Sequence, residues 1–317
     1  MIVVGSGVIG LTTAVVLAER GHSVLVRSRE PAGRTTSAVA GALWWPYRIR
    51  PEDRVGDWSL ESFAVYGELA DRPEETGVRM VEGVHEGGRL DGLGAWAADV
   101  PELRVATASE CRSGEGLWAR LPLIDMPTHL RWLGARLAAA GGAVETGTVT
   151  SLASLAGSSG EARVVVNCAG LGARDLVPDP AVRPVRGQLV LVENPGVDTW
   201  YTGPESPSGG STYFFPQPGR LVLGGTAQED DWSTEPDPVV ADAIVRRCAA
   251  VRPEIAGARI LGHRVGLRPV RDAVRLERVR LPGGGTVVHH YGHGGAGVTV
   301  AWGCAREAAD LVESGDA

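Results

Sequence analysis

The chain contains no lysine; its 31 basic side chains are all arginine. That absence removes any Schiff-base amine, and with it ordinary pyridoxal phosphate chemistry, as well as the lysine a phosphate-binding P-loop requires. Cysteine is sparse too. The four that occur, Cys111, Cys168, Cys248 and Cys304, form no Cys-x-x-Cys pair. A disulfide framework or zinc site is therefore not expected, and a reducing compartment, the cytoplasm, is the default. No apolar run reaches the length of a bilayer span. The apolar residues 2–4 meet glycine at once, so they read as a strand and not as a secretory leader. The sequence closes on Glu-Ser-Gly-Asp-Ala, which is not a peroxisomal address. The net charge is −7 with the arginines scattered, so no basic footprint for nucleic acid is present. Neither a membrane nor a nucleic acid is expected as a partner.

What is there is an ordinary globular composition, 44% hydrophobic and 22% charged over 317 residues, long enough for two structural units. Residues 2–4 form a short β-branched strand, followed by Gly5-Ser6-Gly7-Val8-Ile9-Gly10. A helix follows over 11–20, with Gly21 placed to stop it, and then a second strand over 23–26. Gly-x-Gly-x-x-Gly between a strand and a helix is the dinucleotide fingerprint. Gly5 permits the tight turn, Gly7 lets backbone approach a pyrophosphate, and Gly10 lets the helix pack on the strand. The helix N-terminus then offers free N–H groups to phosphate. FAD and NAD are not distinguished by this pattern. The acidic residue expected after the second strand is missing, because that strand runs Val26-Arg27-Ser28-Arg29 with Glu30 too late. Ser28 is the candidate ribose contact in its place, and Arg27 or Arg29 would face phosphate or solvent.

Further along, helices are expected over 58–70, 127–140, 238–250 and from about 298 to 312, and strands over 164–166, 185–192, 221–225 and 284–290. The stretch 77–120 reads as an irregular or β-rich insert, and 203–210 as a Gly/Ser/Pro-rich connection. No internal repeat or low-complexity tail occurs. Rossmann-like pieces lie at both ends of the chain, so the cofactor domain is expected to be discontinuous.

Three segments carry a resemblance: Thr35-Thr36-Ser37 with Gly41-Ala42-Leu43-Trp44-Trp45-Pro46-Tyr47; Gly266-Leu267-Arg268-Pro269-Val270-Arg271; and His289-His290-Tyr291-Gly292-His293-Gly294-Gly295-Ala296-Gly297-Val298-Thr299. Asn167-Cys168-Ala169-Gly170, Arg186-Gly187-Gln188 and Tyr213-Phe214-Phe215-Pro216 agree with them. Together these resemble the D-amino-acid oxidase family, which includes D-aspartate oxidases, along essentially the whole chain.

The resemblance implies an α/β fold: a discontinuous Rossmann-type FAD-binding domain (1–48, 128–182 and 262–317) with an inserted α+β substrate domain (49–127 and 183–261) on a large mixed sheet. It implies noncovalent FAD, a D-amino acid and O2 as small-molecule partners, and oxidative deamination to a 2-oxo acid, ammonia and hydrogen peroxide. A homodimer is compatible with it. Arg268 matches the substrate-carboxylate arginine, a fork suited to bidentate recognition, and Tyr213 matches a tyrosine reaching the same carboxylate. Gly295 matches the residue whose carbonyl accepts the substrate amine, and Leu43 and Tyr47 match pocket walls. FAD contacts are implied at Gly5, Gly7, Val8, Ile9, Gly10, Ser28, Thr35, Thr36, Ser37, Gly41, Ala42, Leu43, Val149, Gly170, Arg268, Gly294, Gly295, Ala296, Gly297, Val298 and Thr299. A second family tyrosine is replaced by Gly209, which implies a shorter or more open pocket lid.

His289, His290 and His293 resemble a metal cluster or a general base. Their spacing is not that of a helical zinc site, and the implied chemistry needs no side-chain base, so hydrogen bonding within the structure is expected and no metal. Cys304 falls inside the matched helix and reads as core, not as a covalent flavin anchor. An acidic substrate would need a second cation; 199–213 contains no Arg, His or Lys, which favours neutral D-amino acids. Alternative activities are those of a D-aspartate oxidase, a glycine- or sarcosine-type amine oxidase, an NAD(P)-dependent dehydrogenase, and a flavin-binding protein without turnover.

Overall fold

The structure, a computed structural model, describes residues 1–157, 160–205, 210–282 and 284–314. Its first element, the strand Ile2–Val4, is buried at all three residues, as a strand covered on both faces must be. It sits inside a parallel block. In spatial order the block runs Thr286–His293, Val164–Asn167, Ile2–Val4, Leu25–Ser28 and Ala143–Thr146, every neighbouring pair parallel. The chain leaves all five strands at the same, carboxyl-terminal edge.

The helix Val8–Glu19 links the first two of these strands in sequence and buries nearly every residue. It ends at Gly21, whose φ of +90° lets its N–H reach Ala18 O (3.0 Å) while His22 N–H reaches Leu17 O (3.1 Å). Those paired bonds satisfy two carbonyls at the helix end, and glycine supplies the left-handed turn without a Cβ penalty. The final helix, Gly297–Glu313, packs on it and also on Glu52–Leu69. Gly303 makes that second contact possible: a Cβ there would lie 2.4 Å from Trp58 Cα. Ser62 Oγ accepts from Trp302 and Gly303 N–H (both 3.1 Å), and Tyr66 donates to Val298 O (2.8 Å).

Beyond Thr286–His293 the sheet turns antiparallel, except where Trp200–Glu205 and Val78–Glu86 pair in parallel. Its next member is Ile260–Arg280, a strand of 21 residues. Residues 275–280 pair with the parallel block and residues 260–270 with Arg183–Val192. Arg220–Gly224, Ser211–Gln217, Trp200–Glu205, Val78–Glu86, Gly116–Ile124 and Arg104–Val105 follow; with Gln228–Glu229 at the side they complete one sheet of 14 strands. The helix Pro238–Val251 covers the antiparallel half, burying Ile244 and Cys248 against Val190, Phe214 and Leu223. Among the described residues no helix is long and apolar enough to cross a membrane.

The mixed α/β architecture agrees with expectation; three details differ. The helix placed over 58–70 begins at Glu52, because Pro51 with Glu52 and Asp53 forms a start signal ahead of its apolar face. The stretch 77–120 is organised by two nine-residue strands, Val78–Glu86 and Gly116–Ile124, paired antiparallel. The long strand was not read as one, since its dense arginines break the apolar alternation. Residues 203–205 close the strand Trp200–Glu205 and Gly210 precedes Ser211–Gln217; residues 206–209, Gly209 among them, lie outside the described residues.

His129, on the helix Met126–Ala139, is fully buried with Nδ1 2.8 Å from Thr76 O. Burial lowers its pKa from 6.5 to about 4, outweighing the Thr76 carbonyl. The folded chain therefore refuses a proton that the unfolded chain accepts, so this contribution is intact above pH 6.5 and is lost as pH falls toward 4. We expect the thermal midpoint to fall across that window, and His129→Gln to show a lower midpoint at neutral pH but a flatter dependence. Parallel pH profiles for the two proteins would contradict the assignment.

Candidate active site

The turn between Ile2–Val4 and the first helix is defined by backbone proximity. Gly5 has φ +110°, and a Cβ there would stand 2.4 Å from Cys168 O. At Gly10 a Cβ would lie 1.9 Å from Gly5 O, so the helix reaches its strand only without a side chain. A Cβ at Gly7 would meet Ser37 Oγ at 3.0 Å, and that hydroxyl accepts the Val8 N–H (2.9 Å). No side chain of the N-cap residue covers the helix end. Its N–H groups and Ser37 thus form a cradle of the size and polarity a pyrophosphate needs.

The end of the second strand replaces the missing acid with hydroxyls. Ser28 Oγ donates to Glu30 O (2.8 Å) and bonds Ser6 N–H (3.2 Å) and Ser6 Oγ (2.9 Å), all at a buried position. Arg27 pairs with Glu161 (2.8 Å) and Glu145 (3.5 Å), which places it on the outer edge, away from the cradle. Thr35 Oγ1 donates to Ala32 O (2.7 Å) and Thr36 Oγ1 to Leu267 O (3.1 Å). Val149 packs with Ile2, Val4 and Leu25, and Gly170, at φ +57°, adjoins Pro269. Both follow carboxyl ends of parallel strands, where ligands of such sheets bind.

The second glycine loop leaves the same edge. Gly294, at φ +54°, donates its N–H to Pro269 O (2.9 Å), and Ala296 N–H returns to His293 O (3.0 Å). The helix Gly297–Glu313 then opens without a capping side chain, and Gly297 adjoins Ile9 of the first helix (3.7 Å from its would-be Cβ to Cγ1). Two positive helix ends therefore converge on one crevice. Thr299 Oγ1 donates to Trp45 O (2.9 Å) and accepts Trp45 N–H (3.2 Å), fixing the 41–45 segment against the loop. Leu43 bridges to Leu123, and Ala42 holds φ +61°, a conformation alanine rarely adopts. Gly41 sits so close to Phe215 that a Cβ would reach its ring at 2.7 Å.

Arg268 lies where the long strand changes partners. It stands opposite Val185, with Val270 two residues on opposite His293. Its Nη1 donates to Thr226 O (2.9 Å). Its guanidinium lies over Gly187, where a Cβ would be 2.5 Å from Nη2 and 2.7 Å from Cζ. Gly295 approaches from the other side, 3.4 Å from Arg268 Cδ and 3.6 Å from Tyr47 Cδ1 by the same measure. Tyr213 is stacked on Phe215 (4.8 Å) and lies across Gly224 and Gly225, whose Cβ atoms would fall 2.4 and 2.6 Å from its hydroxyl. Burial raises the Tyr213 pKa and the nearby Arg268 opposes it, so the phenol stays protonated. The structure thus brings Arg268, Tyr213, Tyr47 and Gly295 together around one volume.

The histidines point elsewhere. His289, His290 and His293 are buried and neutral; burial holds His289 at about 4, His293 at about 3 and His290 well below its ordinary value. His290 Nδ1 meets Thr13 Oγ1 (3.1 Å), and His289 Nδ1 lies 3.4 Å from Asn167 Nδ2. The strand that carries them is braced by Asp179, which accepts from Tyr291 OH (2.8 Å) and from Arg271 Nε (3.1 Å).

Residues 1–311 match the family described as DAO, FAD dependent oxidoreductase. The chain belongs to this family. It is 67% identical over 312 residues to a D-amino-acid oxidase of Streptomyces coelicolor, covering 98% of this chain and 96% of that protein. It is 50% identical to a D-amino-acid oxidase of Rubrobacter xylanophilus (98% and 94% covered), and 35% identical to a D-aspartate oxidase of Homo sapiens (98% and 93%). Among solved structures, glycine oxidase from Geobacillus kaustophilus superposes with a TM-score of 0.82, covering 100% and 95% of the chains at 22% identity, a likeness of fold. FAD is the cofactor of the family, and the cradle at Gly5–Gly10, the two uncapped helix ends and the Gly294–Gly295 approach fit it.

Sequence reading gave no role to Gly187, Gly224, Gly225 or the Thr226 carbonyl. A glycine inside a strand signals close approach of another group, and Gly187 carries that signal beside Arg186. Thr226 acts through its main chain, which no residue type announces. Gly187→Ala would push the Arg268 guanidinium from its seat without touching the cofactor cradle. We expect full FAD content with kcat/KM for amino acids lowered about 100-fold or more. Unchanged kinetics would show that Gly187 does not set the arginine.

Proposed function

We propose that this chain is a D-amino-acid oxidase acting on neutral D-amino acids. The observation carrying the reading is Arg268, a cation seated over Gly187 in a volume shared with the Tyr213 phenol and the Gly295 main chain. A D-amino acid presents a carboxylate, an amine and an α-hydrogen, and the three groups answer to the first two. One Nη1 hydrogen is committed to Thr226 O and the guanidinium also bonds the Tyr213 phenol; the remaining N–H groups can take the carboxylate, with the Tyr213 hydroxyl proton donated to it as well. The Gly295 carbonyl accepts from the amine. Fixing carboxylate and amine leaves the α-C–H with one orientation, and orientation of this kind supplies much of the rate.

FAD held by these residues would supply the two-electron oxidation of the amino acid to its imine and the reduction of O2 to hydrogen peroxide; hydrolysis of the imine gives the 2-oxo acid and ammonia. No side-chain base enters the scheme; the three neutral histidines are packed into the core. The cofactor contacts are assigned to Gly5, Gly7, Val8, Ile9 and Gly10 with Thr35, Thr36 and Ser37 at the phosphates. Ser28 shapes the ribose end, with Val149 and Gly170 beside it, and Gly41, Ala42, Leu43 and Gly294 to Thr299 take the ring. Residues 1–48, 128–182 and 262–317 are read as the FAD-binding domain and the remainder as the substrate domain. Four free, buried cysteines fit a reducing compartment, here the cytoplasm.

Leu43 and Tyr47 wall the side-chain end of the pocket, with no arginine or histidine in 199–213 to meet a second carboxylate. Purified protein is expected to be yellow and to release peroxide from D-Ala, D-Val and D-Met faster than from D-Asp. Faster turnover of D-Asp, glycine or sarcosine would overturn the substrate assignment. In Arg268→Ala peroxide release should be abolished with FAD still bound; retained activity and KM would place the carboxylate elsewhere.

A further inference from the structure

A ring nitrogen of His290, a ring nitrogen of His293 and the Cys304 sulfur all lie within 4.8 Å of one another, fully enclosed. The strand Thr286–His293 supplies the histidines and the helix Gly297–Glu313 the thiol, so the trio spans both ends of the 294–296 loop. A second observation concerns the same side chains. The Nε2 atoms of both histidines are buried without any hydrogen-bond partner, and a buried polar atom left unsatisfied is costly. For His290 the tautomer follows from its neighbour. Thr13 has one hydroxyl proton, which it donates to Ile9 O (2.7 Å), so the 3.1 Å contact with Nδ1 is donated by the ring. Nε2 is then a bare lone pair, oriented by a bond on the far nitrogen as metal-binding imidazoles are.

We propose that His290, His293 and Cys304 form a buried site for one soft monovalent cation, Cu+. Two imidazoles and a thiolate are a donor set for a soft or borderline ion. Bonds of about 2.0 Å to nitrogen and 2.3 Å to sulfur set the ligand atoms roughly 3.4–3.7 Å apart. From its 4.8 Å limit the trio thus closes by at most about 1.4 Å, through side-chain rotation. Charge chooses between the ions. Loading displaces the Cys304 proton to solvent, with no change of oxidation state, so thiolate plus Cu+ is neutral. Zn2+ would leave an uncompensated positive charge in an apolar interior, which is costly. Arg54 and Glu61, the charged side chains that act on Cys304 from the helix Glu52–Leu69, are of opposite sign. The spacing of His289, His290 and His293 excludes a zinc site on one helix, whereas the third ligand here comes from another element, 11 residues beyond His293.

The test is metal analysis of FAD-loaded protein expressed with added copper and purified without oxygen. Close to one copper per chain is expected, with an absorption-edge spectrum showing two nitrogens and one sulfur. Cys304→Ser and His290→Gln should lose the copper while keeping FAD. Cys111→Ser, at a buried thiol in the β-rich half, should keep both. If either site variant fails to fold, the spectrum of the unaltered protein still decides. Absence of copper, zinc in its place, or a shell without sulfur overturns the proposal.

Discussion

One strand is shared by two sheets in all but name, and the site depends on that sharing. Ile260–Arg280 pairs at its carboxyl half with the parallel, nucleotide-binding block and at its amino half with the antiparallel layer. Where it changes partners the ladder is irregular, between Val270 and Arg275. Arg268 and Pro269 stand just before that break. Pro269 O anchors the Gly294 N–H, so Arg268, the proposed carboxylate grip, and the Gly294 loop proposed to face the cofactor are held by adjacent units of one backbone. Their spacing is therefore set by main-chain geometry, which deforms far less readily than side-chain packing.

Glycine does in this chain what a catalytic side chain does in others. Gly5 and Gly10 bring strand and helix together, Gly187 seats the guanidinium, and Gly224 and Gly225 make room for the phenol. Each is a place where a methyl group would displace an interacting atom. The active volume is thus shaped as much by absent Cβ atoms as by the polar groups that project into it.

This explains which parts were legible beforehand. The Gly5–Gly10 turn announces itself because strand, turn and helix are contiguous, and the stop at Gly21 follows the same local rule. Arg268, Tyr213 and the 294–299 loop were legible through resemblance, since nothing in their spacing brings residues 213, 268 and 295 together; only the sheet does. The long strand was missed because its arginines project from both faces and hide the period of two. Ser28 stands at the end of the second strand, where the sequence places the ribose contact, and its hydroxyl is bound to Ser6 and to Glu30 O. The third member of the His290–His293–Cys304 trio was taken for core because the sequence gives no sign that a helix folds back over the strand it has just left.

The Thr299 hydroxyl uses its one proton and one of its lone pairs on the same residue, Trp45. The segment bearing Leu43 cannot swing away without stranding a buried hydroxyl and a main-chain amide. With Leu43 in the pocket wall, as proposed, that wall is fixed masonry and no hinged door, and neutral side chains are then sorted by a cavity already cut before any of them arrives.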